Sequence, residues 1–290
     1  MSESGAAVAP RALCVSSAVA SGYVGINAAR FALQELGFEV LAVPTVLFSS
    51  HTARSGWRGR ALPPEHVSEL LDGLAAQGLL ADVSLVLSGY LGRPENAAAV
   101  AQAVRHVRAL NPAVRYVCDP VLGNRAAGSY VAAGVRDAVR DELVPLADVL
   151  TPNHYELELL TGVADSGLAL ARLCGDSRIA VVTSAEDARI PADRVGLLLY
   201  GGGRVRLATT PRLGVPTHGA GDLTAALFAG QLTRGLDPEA ALSATVRAVT
   251  RVLRTPRQDP WELPLVAARH DLTATSGTIG SGEDELRWEA

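Results

Sequence analysis

The sequence predicts an α/β fold: a largely parallel central sheet with helices on both faces and a β-hairpin appended to it. Three observations carry that prediction. Short β-branched or Leu-rich runs alternate with longer amphipathic ones along most of the chain. Polar clusters directly follow many of the short runs, as expected where strands of such a sheet end at a ligand-binding rim. Two late runs are joined through Gly201-Gly202-Gly203, which reads as a hairpin turn.

The elements follow in order. Ala12 to Ser16 is the first apolar run and the first strand, and the periodic stretch Asn27 to Leu36 is the helix after it. Phe38 to Val46 is the second strand, followed by the helical pattern Pro64 to Gln77. Val83 to Leu87 leads into a helix over Glu95 to Leu110, and Val114 to Cys118 into one over Gly134 to Leu143. Asp148 to Leu150 and Ile179 to Thr183 complete the parallel set; Gly196 to Tyr200 and Val205 to Thr209 are the hairpin. Ala220 to Arg234 is the last of these helices. No internal repeat interrupts the pattern. Residues 1–10 read as a flexible lead, 11–270 as a single domain, and 271–290, where periodicity is lost, as a mobile tail.

Composition narrows the function. With 290 residues and 48% hydrophobic residues, the chain can bury a large core. Its 26 basic and 30 acidic residues give a net charge of −4, so no basic footprint points to nucleic acid or an anionic membrane. No stretch approaches the roughly 18 uncharged apolar residues of a spanning helix, and Met1 to Pro10 lacks a basic region before an apolar core, so the cytoplasm is expected. Cys14, Cys118 and Cys174 are far apart and odd in number, which suits buried thiols. Every basic residue is an arginine. The absence of lysine excludes a Walker-type phosphate loop and an ordinary pyridoxal-phosphate Schiff base.

The most informative motif is Pro216-Thr-His-Gly-Ala-Gly-Asp222, which runs straight into the apolar stretch Leu223 to Phe228. Gly219 and Gly221 let backbone N–H groups approach an anion, and the helix N-terminus adds its positive dipole end. Asp222, acidic at a phosphate site, is placed to accept a proton from a hydroxyl that attacks phosphorus. The competing reading makes Asp222 a helix N-cap after a flexible turn. Beside it stand the polar strand ends Ser16-Ser17, Ser49 to Thr52, Ser88 to Tyr90, Asp119-Pro120, Thr151-Pro-Asn153 and Thr183-Ser184. Each alone is explained as a turn or cap. Together, on one rim beside an anion-binding helix, they describe a nucleotide site.

Tyr116-Val-Cys-Asp-Pro-Val-Leu-Gly123, Val144 to Asn153 with Glu156, Val181-Val-Thr-Ser184 and Gly219-Ala-Gly-Asp222 together resemble the pyridoxal kinases of the ribokinase superfamily. Gly22-Tyr-Val-Gly25, Phe48-Ser-Ser-His-Thr52, Trp57-Arg-Gly59 and Leu87 to Leu91 are similar to that family's substrate-side segments, so the resemblance spans Ala12 to Leu253. It implies a ribokinase-like fold and transfer of the γ-phosphoryl group of ATP to the 5′-hydroxymethyl group of pyridoxal, with pyridoxine and pyridoxamine as further candidate acceptors. Asp222 would be the base and the amides of Gly219, Ala220, Gly221 and Asp222 the anion hole. An aspartate of ordinary pKa ~3.9 is a weak base toward an alcohol, so positioning and electrostatics would carry most of the catalysis. Asp119 and Glu156 would hold Mg²⁺, directly or through water, with a monovalent cation as a further candidate. Thr151, Asn153, Thr183 and Ser184 would meet the phosphates of ATP or the metal's waters. Ser17 would meet the pyridine ring, Thr52 its polar substituents, and Val24, Phe48 and Tyr90 the apolar wall. The loop from Ser49 to Gly59 would fold over the substrate, and relatives of this kind form homodimers.

The chain departs from the family pattern at Ala18, Ile26, Leu47 and Ser50 on the substrate side and at Asn124 near the metal. Two alternatives therefore stay open beside the pyridoxal kinase: a kinase of the same fold for another hydroxymethyl heterocycle, such as hydroxymethylpyrimidine, or a sugar; and a non-catalytic B6-binding paralogue.

Overall fold

The structure, a computed structural model, describes residues 9–215, 218–273 and 286–289. The chain opens with β1 (Arg11–Val19), α1 (Ile26–Glu35), β2 (Glu39–Phe48), β3 (Gly59–Ala61), α2 (Pro64–Ala76), β4 (Val83–Ser88), α3 (Asn96–Leu110) and β5 (Arg115–Cys118). A small hairpin of β6 (Gly123–Asn124) and β7 (Gly128–Ser129) follows, then α4 (Val135–Ala138), which widens into a π-helical stretch at Val139–Leu143. Next come β8 (Val149–Leu150), α5 (His154–Thr161), α6 (Ser166–Cys174), β9 (Ile179–Ala185), β10 (Arg194–Gly201) and β11 (Arg204–Pro211). α7 (Ala220–Thr233), α8 (Pro238–Arg254) and β12 (Arg287–Trp288) complete it.

Ten of these strands form one sheet in the order β12-β11-β10-β9-β8-β5-β4-β1-β2-β3. The six from β2 to β9 pair in parallel, whereas β10, β11, β12 and β3 add antiparallel at the two edges. Alternation along each strand divides the core in two. Leu13 and Val15 of β1 and Tyr116 and Cys118 of β5 point into the layer with α2, α3, α5 and α6. Ala12, Cys14 and Val117 point into the opposite layer with α1, α7 and α8. α7 is apolar all round, buried continuously from Leu223 to Leu232, because it is enclosed between the sheet, α1 and α8.

The chain leaves β1 toward β2 on one side and later returns to β4 on the other, so the parallel sheet reverses its order beside β1. Ligands of open α/β sheets bind beyond the strand ends at such a point. The expected strands and hairpin are present, with shifts of a few residues at their ends. Two features depart from expectation. The helix expected over Gly134 to Leu143 is an α-turn followed by a π-turn. Within the segment expected as a tail, Arg287–Trp288 add a strand to β11: Arg206 lies over the Trp288 ring at 4.5 Å and the Thr209 hydroxyl donates to Glu289 at 2.8 Å. The lead at residues 1–8, Pro216 and Thr217 of the turn, and residues 274–285 and 290 lie outside the described residues.

Candidate active site

Asp222 is not the helix N-cap. Gly219 occupies that position with a left-handed backbone (φ 80), and it offers no cap side chain to the first amides of α7. A Cβ on Gly219 would run into the carbonyl oxygen of Tyr23, so only glycine allows this turn to lie against the Tyr23–Gly25 loop. That contact brings the Gly25 amide to the Asp222 carboxylate, which also accepts its own backbone N–H. Burial nonetheless pushes Asp222 from an ordinary 3.8 to about 6, and these N–H donors only partly oppose it. The weak base expected from composition alone is therefore strengthened by its surroundings.

Two further carboxylates share the region. Asp119, at the end of β5, is buried and accepts a hydrogen bond from the Thr151 hydroxyl at 3.0 Å. Burial raises it well above the ordinary range, and the charges of Glu156 and Asp222 raise it further. Glu156 is buried and raised to about 7, again chiefly by burial. Its carboxylate accepts from the amides of Leu122 (2.9 Å), Gly123 (3.3 Å) and Asn153 (2.8 Å). No cationic side chain contributes to the shifts of these three groups. Among the described residues no cluster of three or more His, Cys, Asp or Glu forms a ready cage for a metal. Buried anions without a protein counter-charge suit a hard cation that keeps its waters and takes its other ligands from phosphate oxygens, as Mg²⁺ does. The residues present fit that ion.

The nucleotide-side residues lie on neighbouring strand ends. Asn153 is the N-cap of α5 and forms a full capping box with Glu156, while Pro152 stands just outside the helix. Its amide donates to the Gly123 carbonyl at 2.8 Å, and Asn153 bridges in parallel to Thr183. Ser184 has φ 50, the one positive φ outside glycine among the described residues, and is exposed at the end region of β9. Strain of this kind concentrates at ligand sites.

On the substrate side, a narrow pocket opens between Ser16, Gly25, Ser88, Gly89, Asp119 and Asp222. A bulge between Ser16 and Ser17 turns the end of β1 toward it, and Gly25 packs so tightly on Ser17 that a Cβ there would strike the Ser17 hydroxyl. Val24 adjoins Gly25. Tyr90 is fixed through its backbone, its N–H donating to the Ser16 hydroxyl (3.1 Å) and its carbonyl accepting from Thr45 (2.6 Å). Phe48 packs on Trp57 at 4.8 Å across the loop. Thr52 lies exposed in that loop, apart from the cavity lining. Of the departures, Ile26 is buried in the core and Leu47 is 50% exposed; the loop between β1 and α1 is closed by Asn27, whose amide donates to the carbonyls of Val19 (2.8 Å) and Gly22 (3.1 Å).

Sequence reasoning missed Asn27 and Tyr130. Tyr130 is 48% exposed overall, yet its phenol is raised by burial and then by the charges of Glu156, Asp222 and Asp119, so it lies within electrostatic reach of the same carboxylates. It belongs to no motif; only the β6–β7 hairpin, too short for a periodic signal, brings it there.

A family model described as phosphomethylpyrimidine kinase matches residues 20–261. A pyridoxal kinase of Leifsonia xyli subsp. xyli is 39% identical, the match covering 95% of this chain and 92% of that protein. One from Rubrobacter xylanophilus is 41% identical over 90% of this chain and 93% of that protein. Among solved structures, a pyridoxal kinase from Leishmania donovani in complex with ADP and pyridoxamine superposes with a TM-score of 0.82 at 26% identity, covering 97% of this chain and 99% of that one.

Proposed function

We propose, for a chain that belongs to the pyridoxal kinase family, that it transfers the γ-phosphoryl group of ATP to the 5′-hydroxymethyl oxygen of pyridoxal. The observation that carries this reading is the Asp222 carboxylate itself, held by the Gly25 amide in the first turn of a buried helix that has no N-cap side chain. Asp222 takes the hydroxyl proton as the new O–P bond forms, and the amides of Gly219, Ala220 and Gly221 face the negative charge on the transferring phosphate. A base near 6 is ionised at neutral pH and still accepts a proton better than an ordinary aspartate.

Asp119, with Glu156 behind it, would hold Mg²⁺ between protein and phosphates. That ion, when bound, supplies neutralisation of the phosphate oxygens' charge. The three backbone N–H groups already on Glu156 support an indirect role for it, orienting the Gly123 hairpin and the α5 N-terminus. Thr151, Asn153, Thr183 and Ser184 would line the ATP side; Ser17, Val24, Phe48 and Tyr90 would hold the pyridine ring, with Thr52 reaching its substituents from the loop. A homodimer, a monovalent cation near Asp119 and a cytoplasmic location belong to the same reading. Among the described residues no helix is long and apolar enough to cross a membrane.

The test is ADP formation by the purified protein with Mg·ATP and pyridoxal, beside hydroxymethylpyrimidine, ribose and no acceptor. Turnover greatest with pyridoxal supports the reading. Preference for hydroxymethylpyrimidine or ribose would transfer it to another acceptor, and pyridoxal binding without turnover would make the protein a binder.

A further inference from the structure

Three aromatic rings from three distant parts of the chain pack against one another next to the head of α7. His51 belongs to the loop after β2, His218 to the turn that opens α7, and Trp261 to the segment after α8. The His51 and His218 rings lie 4.4 Å apart at 35°, and His218 and Trp261 lie 5.3 Å apart and nearly parallel, at 10°. Polar contacts join the same segments. Arg54, three residues after His51, pairs with Asp259 and lies 3.9 Å from Glu262. Ser21 donates to Glu262 at 3.5 Å. Residues 259–262 thus form a strap touching the loop, the 21–22 turn and the anion-hole turn, and His218 is the middle ring of the stack.

We propose that His218 is a positioning residue: stacked between His51 and Trp261, it clasps the substrate loop to the turn that carries Gly219 and Asp222, so that the two sides of the reaction site close as one body. This rests on the kinase reading of the site. Two imidazoles with ring centres 4.4 Å apart hold together best when neither is charged. Burial lowers both, His51 to about 4 with the neighbouring His218 adding to the effect, so both rings are uncharged at neutral pH. Trp261, 40% exposed, donates its backbone N–H to Asp259 at 2.9 Å, and its packing on His218 links the strap to the turn that opens α7. Loss of one such ring contact weakens closure by an amount that appears in loop-dependent binding and not in the chemistry at Asp222.

The experiment compares His218→Ala, His218→Phe and Trp261→Ala with the unaltered protein. It measures KM for pyridoxal, KM for ATP and kcat, with hydrogen exchange of residues 49–59 read in parallel. The clasp predicts that His218→Ala and Trp261→Ala each raise KM for pyridoxal about three- to tenfold, leave KM for ATP within about twofold, and speed exchange across the loop. His218→Phe, which keeps a flat ring, restores both readouts. In the His218→Ala background, Trp261→Ala adds nothing further. The clasp is overturned if KM for pyridoxal is unchanged in both alanine variants, if both KM values rise together, or if phenylalanine is as damaging as alanine. Failure of the kinase reading is distinguishable: the unaltered protein then shows no phosphoryl transfer, while the exchange comparison still tests the clasp.

Discussion

At the residue scale, the account turns on Asp222. Its assignment as base predicts that kcat with pyridoxal climbs as pH rises through about 6 and is level above it, because only the ionised carboxylate accepts the proton. A pH profile of the unaltered protein checks this; a profile flat from pH 5 to 8 would contradict it. Asp119→Asn removes a buried anion while leaving an oxygen for the Thr151 hydroxyl, so the Mg²⁺ concentration giving half-maximal rate should rise at least about tenfold. Magnesium titration of the variant reads that directly. The motif Gly-Ala-Gly-Asp was visible in the sequence, but a glycine pair before an apolar helix also suits an ordinary capped turn, and it took the polar strand ends together to favour an anion site. The raised pKa was not, because it comes from burial under loops that no local pattern describes. Thr52 was singled out by resemblance alone; it is exposed in a loop that is held by Phe48 on Trp57, by Ser49 with Arg58, and by His51 and Arg54.

At the element scale, α5 joins stability to the site. Asn153 caps the helix, Glu156 closes the box, and the same two side chains hold the Gly123 hairpin. Asn153→Ala should cost about 1 to 2 kcal/mol of stability from the lost cap, and more than a cap elsewhere, because the Gly123 carbonyl loses its donor as well. Asp237→Ala at the start of α8 is the comparison, since its side chain caps only its own helix. Denaturant unfolding of both variants checks the difference, and only Asn153→Ala should also raise KM for ATP. Most elements were legible because short, continuously apolar strands alternate with longer helical stretches along the chain. The short pieces were not. β6, β7 and β12 are two residues each, set by tertiary contacts such as Arg206 over Trp288, and the π-turn at Val139–Leu143 has no signature in local sequence.

At the scale of the whole molecule, the sheet places three mutually repelling carboxylates where its strand order reverses, and this shapes stability. Glu156, raised from 4.5 to about 7, and Asp222, raised from 3.8 to about 6, bind protons more tightly folded than unfolded. Folding is therefore favoured as pH falls through their folded values and weakened as pH rises through them. His51, held neutral in the fold, opposes this below about 6.5. The melting temperature should therefore rise as pH falls from 8 toward about 5, less steeply below about 6.5 where the unfolded His51 takes up its proton. Mg²⁺ should raise it more at pH 8 than at pH 6.5, because protonated carboxylates no longer attract the cation; calorimetry at both pH values checks this. The parallel sheet and its polar rim were readable from the order of the strands and the residues after them. The pairing across the reversal was not, since β1 meets β2 and β4 through contacts distant in sequence.

The most direct test of the central claim is single-turnover formation of pyridoxal 5′-phosphate by the unaltered protein and by Asp222→Asn, each saturated with Mg·ATP and pyridoxal. The account predicts that the variant binds ATP equally well and transfers the phosphoryl group about 10² to 10⁴ times more slowly. Transfer within a few-fold of the unaltered rate would contradict it, because the proton would then leave the hydroxyl without the carboxylate at the head of α7.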